Sequence, residues 1–171
     1  MRIRTALSSD AAQISQIYVD SWKSTYRGLL DDGYLDAMDC ETARAGWEEY
    51  LRLPGRFAFV ACAEDGPVVG FAAGMEDSPV RPGSGLLDSL HIAPACRGRG
   101  VGKSLMAEFA AELRRRNVSG MAITVIEGND SARAIYEHLG AKTVGRRNGV
   151  YGDRVTEIVL YWEDVSVLCV L

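Results

Sequence analysis

Residues 97–105 read RGRGVGKSL, a run in which glycines alternate with basic residues before an apolar, helix-like segment begins. Glycine-rich loops that lead into a helix bind phosphate groups, because their backbone N–H groups can approach the anion and the helix N-terminus carries a partial positive charge. Several phosphate-binding loops share this general form. The spacing of the glycines therefore has to distinguish them.

Two nucleotide-binding loops fit this run poorly, each because of one residue. A Walker A loop needs its leading glycine where Arg97 stands, although Gly102, Lys103 and Ser104 match its ending. The dinucleotide fingerprint G-x-G-x-x-G needs its third glycine where the chain has Lys103. The run also lies in the middle of the chain after an apparent hairpin, which is unusual for either loop. A nucleoside triphosphatase stays a minor alternative, which tight ATP binding would support.

A third pattern, [RQ]-x-x-G-x-[GA], fits the run without a gap at Arg97, Gly100 and Gly102. A buried-type strand, LLDSLHI, precedes it, and an amphipathic helix with Leu105 and Phe109 on its apolar stripe follows it. On its own this short pattern also fits a merely flexible turn. A second motif is needed to assign it.

The second motif lies about thirty residues further along the chain, in GNDSARAIYEHLGA. The pattern N-x-x-A-x-x-x-Y-x-x-x-G is matched there by Asn129, Ala132, Tyr136 and Gly140. The chain thus resembles the GNAT superfamily of acyl-CoA-dependent N-acyltransferases over nearly its whole length. The stretch DSWKSTYRGLL resembles a bacterial subgroup of uncharacterised or antibiotic-related acetyltransferases, whose substrates vary.

Composition agrees with one soluble domain spanning residues 1–171. Apolar residues make up 47% and charged residues 25% of the chain, and the net charge of −4 disfavours nucleic-acid binding. No apolar stretch reaches the ~18 residues that span a membrane, and the N-terminus lacks a signal peptide. The cysteines are scattered without a CxxC pair, so we expect reduced thiols, no metal and a cytoplasmic location.

The order of the predicted elements is strand, helices, three strands, helix, strand, helix and two strands. EDGP at residues 64–67 separates two β-like runs and predicts a hairpin. The fold class is therefore α/β (α+β), with helices on both faces of a mixed sheet. The resemblance implies a mostly antiparallel sheet of about seven strands, splayed between strands 4 and 5.

The resemblance also implies that acetyl-CoA is the cosubstrate and that its pantetheine arm inserts at the splay. Tyr136 would then act as general acid toward the departing thiolate, because an ordinary tyrosine with a pKa of ~10 is protonated at neutral pH. Asn129 would both cap its helix and bind the pantetheine arm. The residues that the resemblance assigns to the cosubstrate are Leu90, His91, Ile92, Arg97, Gly98, Arg99, Gly100, Val101, Gly102, Lys103, Asn129, Ala132 and Tyr136.

The general base is left open by the sequence. Relatives that acetylate protein N-termini carry a glutamate at the position of Thr124, which cannot accept a proton. Other relatives use an acid near the start of the strand that precedes the glycine loop. The candidates are Asp88, Glu76, Asp77 and Glu127, of which Asp88 and Glu127 are preferred.

The acceptor pocket of this fold is usually formed by the first helices and the loops after them. In DSWKSTYRGLL, Trp22 and Tyr26 could line such a pocket, and Arg27 could bind an acceptor carboxylate. Core packing explains Trp22 equally well. The predicted reaction is direct acetyl transfer to a primary amine of a small molecule or peptide, and the alternative is a regulatory acyl-CoA-binding module without efficient catalysis.

The C-terminal segment VSVLCVL, residues 165–171, is apolar and partly β-branched. An exposed segment of this composition promotes aggregation. We expect it to pair as a strand, with pairing across a homodimer as one form of that arrangement.

Overall fold

The computed structural model describes residues 1–64 and 66–170, and its elements follow the predicted order. Within that part of the chain the strands are β1 (Arg2–Thr5), β2 (Arg56–Cys62), β3 (Val68–Met75), β4 (Gly85–Ile92), β5 (Met121–Ile126), β6 (Lys142–Gly149) and β7 (Gly152–Trp162). The α-helices are α1 (Ala11–Thr25), α2 (Asp32–Ala37), α3 (Cys40–Tyr50), α4 (Val101–Arg115) and α5 (Asp130–His138). Short 3-10 helices cover Ser8–Asp10, Pro94–Cys96 and Val165–Leu168.

The strands form one sheet in the order β1-β2-β3-β4-β5-β7-β6. All neighbouring strands are antiparallel except β4 and β5, which run parallel. The predicted hairpin is present as the β2–β3 pair. The sheet confirms the predicted fold class, because α4 is the crossover that a parallel β4–β5 pair requires.

Helices cover both faces of the sheet, and each face has its own apolar core. Helix α4 packs on one face through Leu105, Phe109 and Leu113, which are fully buried, and α5 adds Tyr136 to the same core. Helices α1 and α3 cover the other face, where Ile14 is fully buried. No helix among the described residues is both long and apolar enough to cross a membrane.

The prediction of a C-terminal strand is wrong. Residues Val165–Leu168 form a 3-10 helix that packs into the core beneath α4, with the side chains of Val165 and Leu168 fully buried. The Asp164 side chain accepts a hydrogen bond from the Ser166 N–H at 2.8 Å and caps this turn. Val165 and Leu168 are thus covered within the chain, whereas Val167 and Val170 are exposed. The argument for a strand shared between two copies no longer applies to the two buried residues, Leu171 lies outside the described residues, and a homodimer stays a prediction.

Candidate active site

The parallel pair at the centre of the sheet opens into a wedge. Strands β4 and β5 are in register only at Gly85–Met121 and Leu86–Ala122, and they separate beyond these pairs. Strand β4 keeps pairing with β3 as far as Ile92, so one edge of its last residues is free. This divergence confirms the predicted splay. It opens into a cleft of about 1000 Å³ that reaches both faces of the sheet.

The glycine loop forms one end of this cleft. Gly98 and Gly100 have φ values of 72° and 80°, a left-handed conformation that residues with a side chain rarely adopt. The space beside both residues is open, since an added Cβ at either would meet no atom within 4 Å. Gly100 directly precedes α4 and offers no side-chain cap, so the first N–H groups of the helix are free to bind an anion.

Most of the predicted loop residues line the cleft at this end. The Nε atom of Arg97 also donates a hydrogen bond to the Ile92 carbonyl oxygen at 3.2 Å, which ties the loop to the end of β4. Arg99 is not among the cleft-lining residues of the described chain. Those that do line it are Arg97, Gly98, Gly100, Val101, Gly102 and Lys103.

The second motif forms the adjoining wall through the first turns of α5. Oδ1 of Asn129 accepts a hydrogen bond from the Ala132 N–H at 3.4 Å, which confirms the helix cap. Tyr136 lies one turn further on, is 8% exposed and packs edge-to-face on Trp162 at 6.0 Å. It is therefore both a core residue and a cleft residue. Burial, with a smaller contribution from Tyr26, raises the pKa of Tyr136 above its usual value, so the hydroxyl holds its proton.

The last residues of β4 line the cleft between these two walls, as predicted for Leu90, His91 and Ile92. The imidazole of His91 contacts Tyr18 at 5.5 Å and Phe71 at 5.4 Å between ring centroids, on the face that α1 covers. Burial, assisted by the positive charge of Arg97, lowers the pKa of His91 to about 4. The side chain is therefore neutral at physiological pH.

Of the predicted acids, the structure places only Asp88 on the cleft. The β3–β4 register shifts beside it, because Ser89 pairs with Ala73 whereas Leu87 pairs with Gly74. Such bulges re-aim side chains and are frequent beside active sites. The Asp88 carboxylate is open to the cleft, yet the surrounding walls displace bulk water. This desolvation raises its pKa, with opposition from Arg56 and a smaller rise from Glu157.

The other predicted acids lie outside the cleft lining of the described residues, and two of them have ion-pair partners. Glu127 pairs with Arg146 at 2.9 Å, and Glu76 pairs with Arg116 at 2.8 Å. Asp77 is also absent from the lining. These acids lie near the motifs in the sequence, but their side chains lie outside the cleft.

Aromatic side chains form the wall opposite the glycine loop, and Trp22 is their centre. Its ring lies 5.4 Å from Tyr18, 4.9 Å from Tyr26, 6.4 Å from Tyr34 and 5.4 Å from Tyr151, measured between centroids. Trp22 and Tyr26 line the cleft, as the sequence analysis anticipated. Trp22 also belongs to a small apolar core, so it is at once a core residue and a cleft-lining residue.

Arg27 lies outside this wall. Its guanidinium is paired with Asp32 at 3.1 Å and with Asp36 at 2.7 Å. The arginine that followed the aromatic residues in the sequence is thus turned toward α2, and its partners are carboxylates of that helix.

Sequence reasoning missed one carboxylate of the cleft, Glu157 on β7. It is 4% exposed, and its Oε2 atom finds no hydrogen-bond partner among the described residues. Two further cleft-lining residues, Ser21 and Trp22, also carry buried polar atoms, Oγ and Nε1, without such a partner. The signal that could have revealed Glu157 is a lone acid inside the apolar run VTEIVLYW.

Comparison with known proteins agrees with this geometry. The Acetyltransferase (GNAT) family matches residues 11–141, which includes both motifs. The chain belongs to this family. It is 31% identical to the uncharacterised N-acetyltransferase YuaI of Bacillus subtilis over 97% of its own length and 95% of that protein.

Two further similarities extend this assignment. An aminoglycoside N(6')-acetyltransferase of Stenotrophomonas maltophilia is 31% identical over 66% of the chain and 67% of that protein. The PaiA N-acetyltransferase of Thermoplasma acidophilum, solved with coenzyme A, has the same fold, with a TM-score of 0.76 at 18% identity over 94% and 96% of the two chains. The protein is an acetyl-CoA-dependent N-acetyltransferase.

Proposed function

We propose that the enzyme transfers the acetyl group of acetyl-CoA to a primary amine of a small molecule or peptide, by direct attack through a tetrahedral intermediate. The observation that carries this proposal is the continuity of the cleft. It leads from the free N-terminus of α4, through the splay, to a wall of aromatic residues beside Asp88. A donor can thus enter from one face and an acceptor from the other.

The residues of the first face fit acetyl-CoA. The free N–H groups at the start of α4, with Arg97 and Lys103, would hold the pyrophosphate. The free edge of β4 would bind the pantetheine arm as a short strand does, and Asn129 would add a side-chain contact. A backbone N–H of β4 near Leu90 would polarise the thioester carbonyl, as an oxyanion hole does.

Two side chains would move protons. Asp88 accepts one proton from the acceptor ammonium, directly or through water, because an ammonium group has no lone pair for attack. The freed nitrogen bonds to the thioester carbon, the carbon–sulfur bond breaks, and Tyr136 donates a proton to the departing thiolate. The second proton of the attacking nitrogen then passes through water to the Tyr136 phenolate, which restores the phenol. The raised pKa of Asp88 makes it the stronger base, and the raised pKa of Tyr136 keeps its proton available.

The relative from Stenotrophomonas maltophilia supports a small-molecule acceptor, since its name places its activity on aminoglycosides. The test is release of free thiol from acetyl-CoA in the presence of a panel of amines. We expect amine-dependent release by the natural sequence and a marked loss in Asp88→Asn. Binding of coenzyme A without release on any amine would contradict the proposed function.

A further inference from the structure

The Oε2 atom of Glu157, which accepts no hydrogen bond from the described residues, is a feature that acetyl transfer as described above does not use. Glu157 lies on β7 opposite Ile126, the last residue of β5, where the cleft opens toward α1. A buried carboxylate is costly unless a cation or hydrogen-bond donor compensates its charge. An oxygen without a hydrogen-bond partner on the wall of a cleft therefore points to a cationic ligand.

The groups that face Glu157 come from each element around it. Arg147 on β6 approaches with Nη1 at 3.7 Å from Oε2, which is beyond hydrogen-bond distance, and its side chain is 41% exposed. Burial is the main cause of the raised pKa of Asp88, Tyr26 and Tyr151, and the negative charge of Glu157 adds to each, so these side chains lie within its electrostatic range. Arg147 thus compensates the carboxylate only in part, and no described residue donates a hydrogen bond to the buried Oε2 atom.

The same surroundings are suited to an ammonium group. Tyr26 and Tyr151 both lie within the electrostatic range of Glu157. Their rings lie 4.9 Å and 5.4 Å from the Trp22 ring, measured between centroids. Aromatic faces attract cations, and a carboxylate forms charge-assisted hydrogen bonds with them. The corner between Glu157 and the Trp22 cluster therefore combines the two interactions that recognise an alkylammonium.

This ammonium is not suited to be the nitrogen that reacts. A carboxylate that holds an ammonium firmly stabilises its protonated form, whereas the attacking nitrogen must lose a proton. Asp88, on the other side of β5, is the better proton acceptor for that nitrogen. The two carboxylates of the cleft thus suit different amino groups of one acceptor.

We propose that Glu157 binds a second, non-reacting ammonium group, so that the enzyme selects acceptors with two amino groups over those with one. This inference rests on the proposed function, because it concerns the acceptor of the same reaction. Glu157 is then a specificity-determining residue rather than a proton-transfer residue.

The test compares α,ω-diaminoalkanes of three to eight carbons with monoamines of the same chain length. For the natural sequence, we expect kcat/KM for the best diamine to exceed that for its monoamine by about tenfold or more, as one buried charge-assisted hydrogen bond would give. In Glu157→Gln, the ratio of diamine to monoamine kcat/KM should fall to about one, because any effect of the lost charge on Asp88 acts on both amines alike.

Glu163→Gln is the matched control, because Glu163 follows β7 directly but is exposed and pairs loosely with Lys142 at 4.0 Å. It should keep the diamine preference. The free Glu157→Gln protein should melt no lower than the natural sequence, since the change removes a buried charge that is only partly compensated. A lower melting temperature with an unchanged diamine preference would show a structural ion pair with Arg147 and overturn the inference.

Two other outcomes separate this inference from the proposed function. If Glu157→Gln leaves the ratio of diamine to monoamine kcat/KM unchanged, Glu157 does not bind a second ammonium group, and the inference is wrong while acetyl transfer stands. If the natural sequence acetylates none of these amines, diamine binding is measured instead. The coenzyme A-saturated protein is titrated with the diamines, and the shift in its melting temperature is recorded. Stabilisation that Glu157→Gln abolishes supports the site, and equal or no stabilisation in both proteins overturns it.

Discussion

Single residues of the cleft differ in protonation because their surroundings differ. Tyr136 is buried beside Trp162 and keeps its proton, His91 is buried between aromatic rings and stays neutral, and Asp88 is desolvated within the cleft and becomes more basic. In each case desolvation is the largest cause, and it disfavours the charged form. The chemistry of these side chains is thus set by where the sheet and helices place them.

Replacing Tyr136 with Phe tests its assignment as general acid. The ring contact with Trp162 is preserved, so the melting temperature should stay close to that of the natural sequence. Loss of the donated proton should lower kcat by about a hundredfold or more, with little change in the KM for acetyl-CoA. Steady-state thiol-release kinetics give both constants, and a kcat reduced by less than about threefold would argue against the assignment.

His91 should make the folded state sensitive to acid. Its pKa is about 4 in the folded chain and about 6.5 when unfolded, so between these values the unfolded state binds more protons. The stabilisation is therefore fully present above about pH 6.5 and is lost as the pH falls toward 4, by about 3 kcal/mol in total. Urea unfolding across this range should show a weaker pH dependence in His91→Gln, and an identical dependence would refute the assignment.

At the scale of elements, the beginning of α4 shapes the end of the cleft that we propose for the pyrophosphate of the donor. Gly100 adopts a left-handed conformation immediately before the helix, and this leaves the first turn open to an anion. The helix then buries Leu105 and Phe109, which fixes its N-terminus at the mouth of the splay. One glycine and one apolar stripe thus position the phosphate site.

Gly100→Ala should lower both the free energy of unfolding and the affinity for coenzyme A. An L-residue in the left-handed region costs about 1–2 kcal/mol, which should appear as a lower free energy of unfolding. Coenzyme A affinity measured by calorimetry should fall about tenfold or more, because the loop is displaced from the conformation that exposes the N–H groups.

Gly46→Ala is the control for this change. Gly46 lies on an exposed turn of α3 with open space around it, so alanine should stabilise the helix by up to about 1 kcal/mol and leave coenzyme A affinity unchanged. If both variants bind coenzyme A as the natural sequence does, the left-handed turn has no part in the site.

At the scale of the whole molecule, the sheet has to remain joined around its open wedge. The β4–β5 contact covers two residue pairs, so the two halves of the sheet are also held by α4 and by the C-terminal turn packed beneath it. Val165 and Leu168 in that turn are fully buried in the same core as α4. The C-terminus therefore contributes to the core rather than to an exposed edge.

Leu168→Ala should lower the free energy of unfolding by about 2–5 kcal/mol, the usual cost of emptying a fully buried leucine site. Val170→Ala is the matched control in the same segment, because Val170 is 86% exposed and its loss should change stability very little. Urea denaturation with fluorescence detection measures both. Equal effects of the two changes would mean that the segment does not pack as described.

The fold, and the position of both motifs on one cleft, were largely predictable from the sequence. Element order followed from local signals such as the apolar stripe of α4 and the EDGP turn, and both motifs lie within single short segments. The cap at Asn129 was likewise predicted, since it depends only on residues in the next turn. Features set by neighbours along the chain are determined by the sequence alone.

The acceptor face was decided by the tertiary structure. Glu127 and Arg27 looked suitable in the sequence, but each is paired with an oppositely charged side chain outside the cleft. Glu157 gave little signal, and it reaches the cleft only because β7 pairs with β5. The C-terminal turn likewise found its partner in α4, far away in sequence. Long-range pairing and burial determine these positions, and no local pattern contains that information.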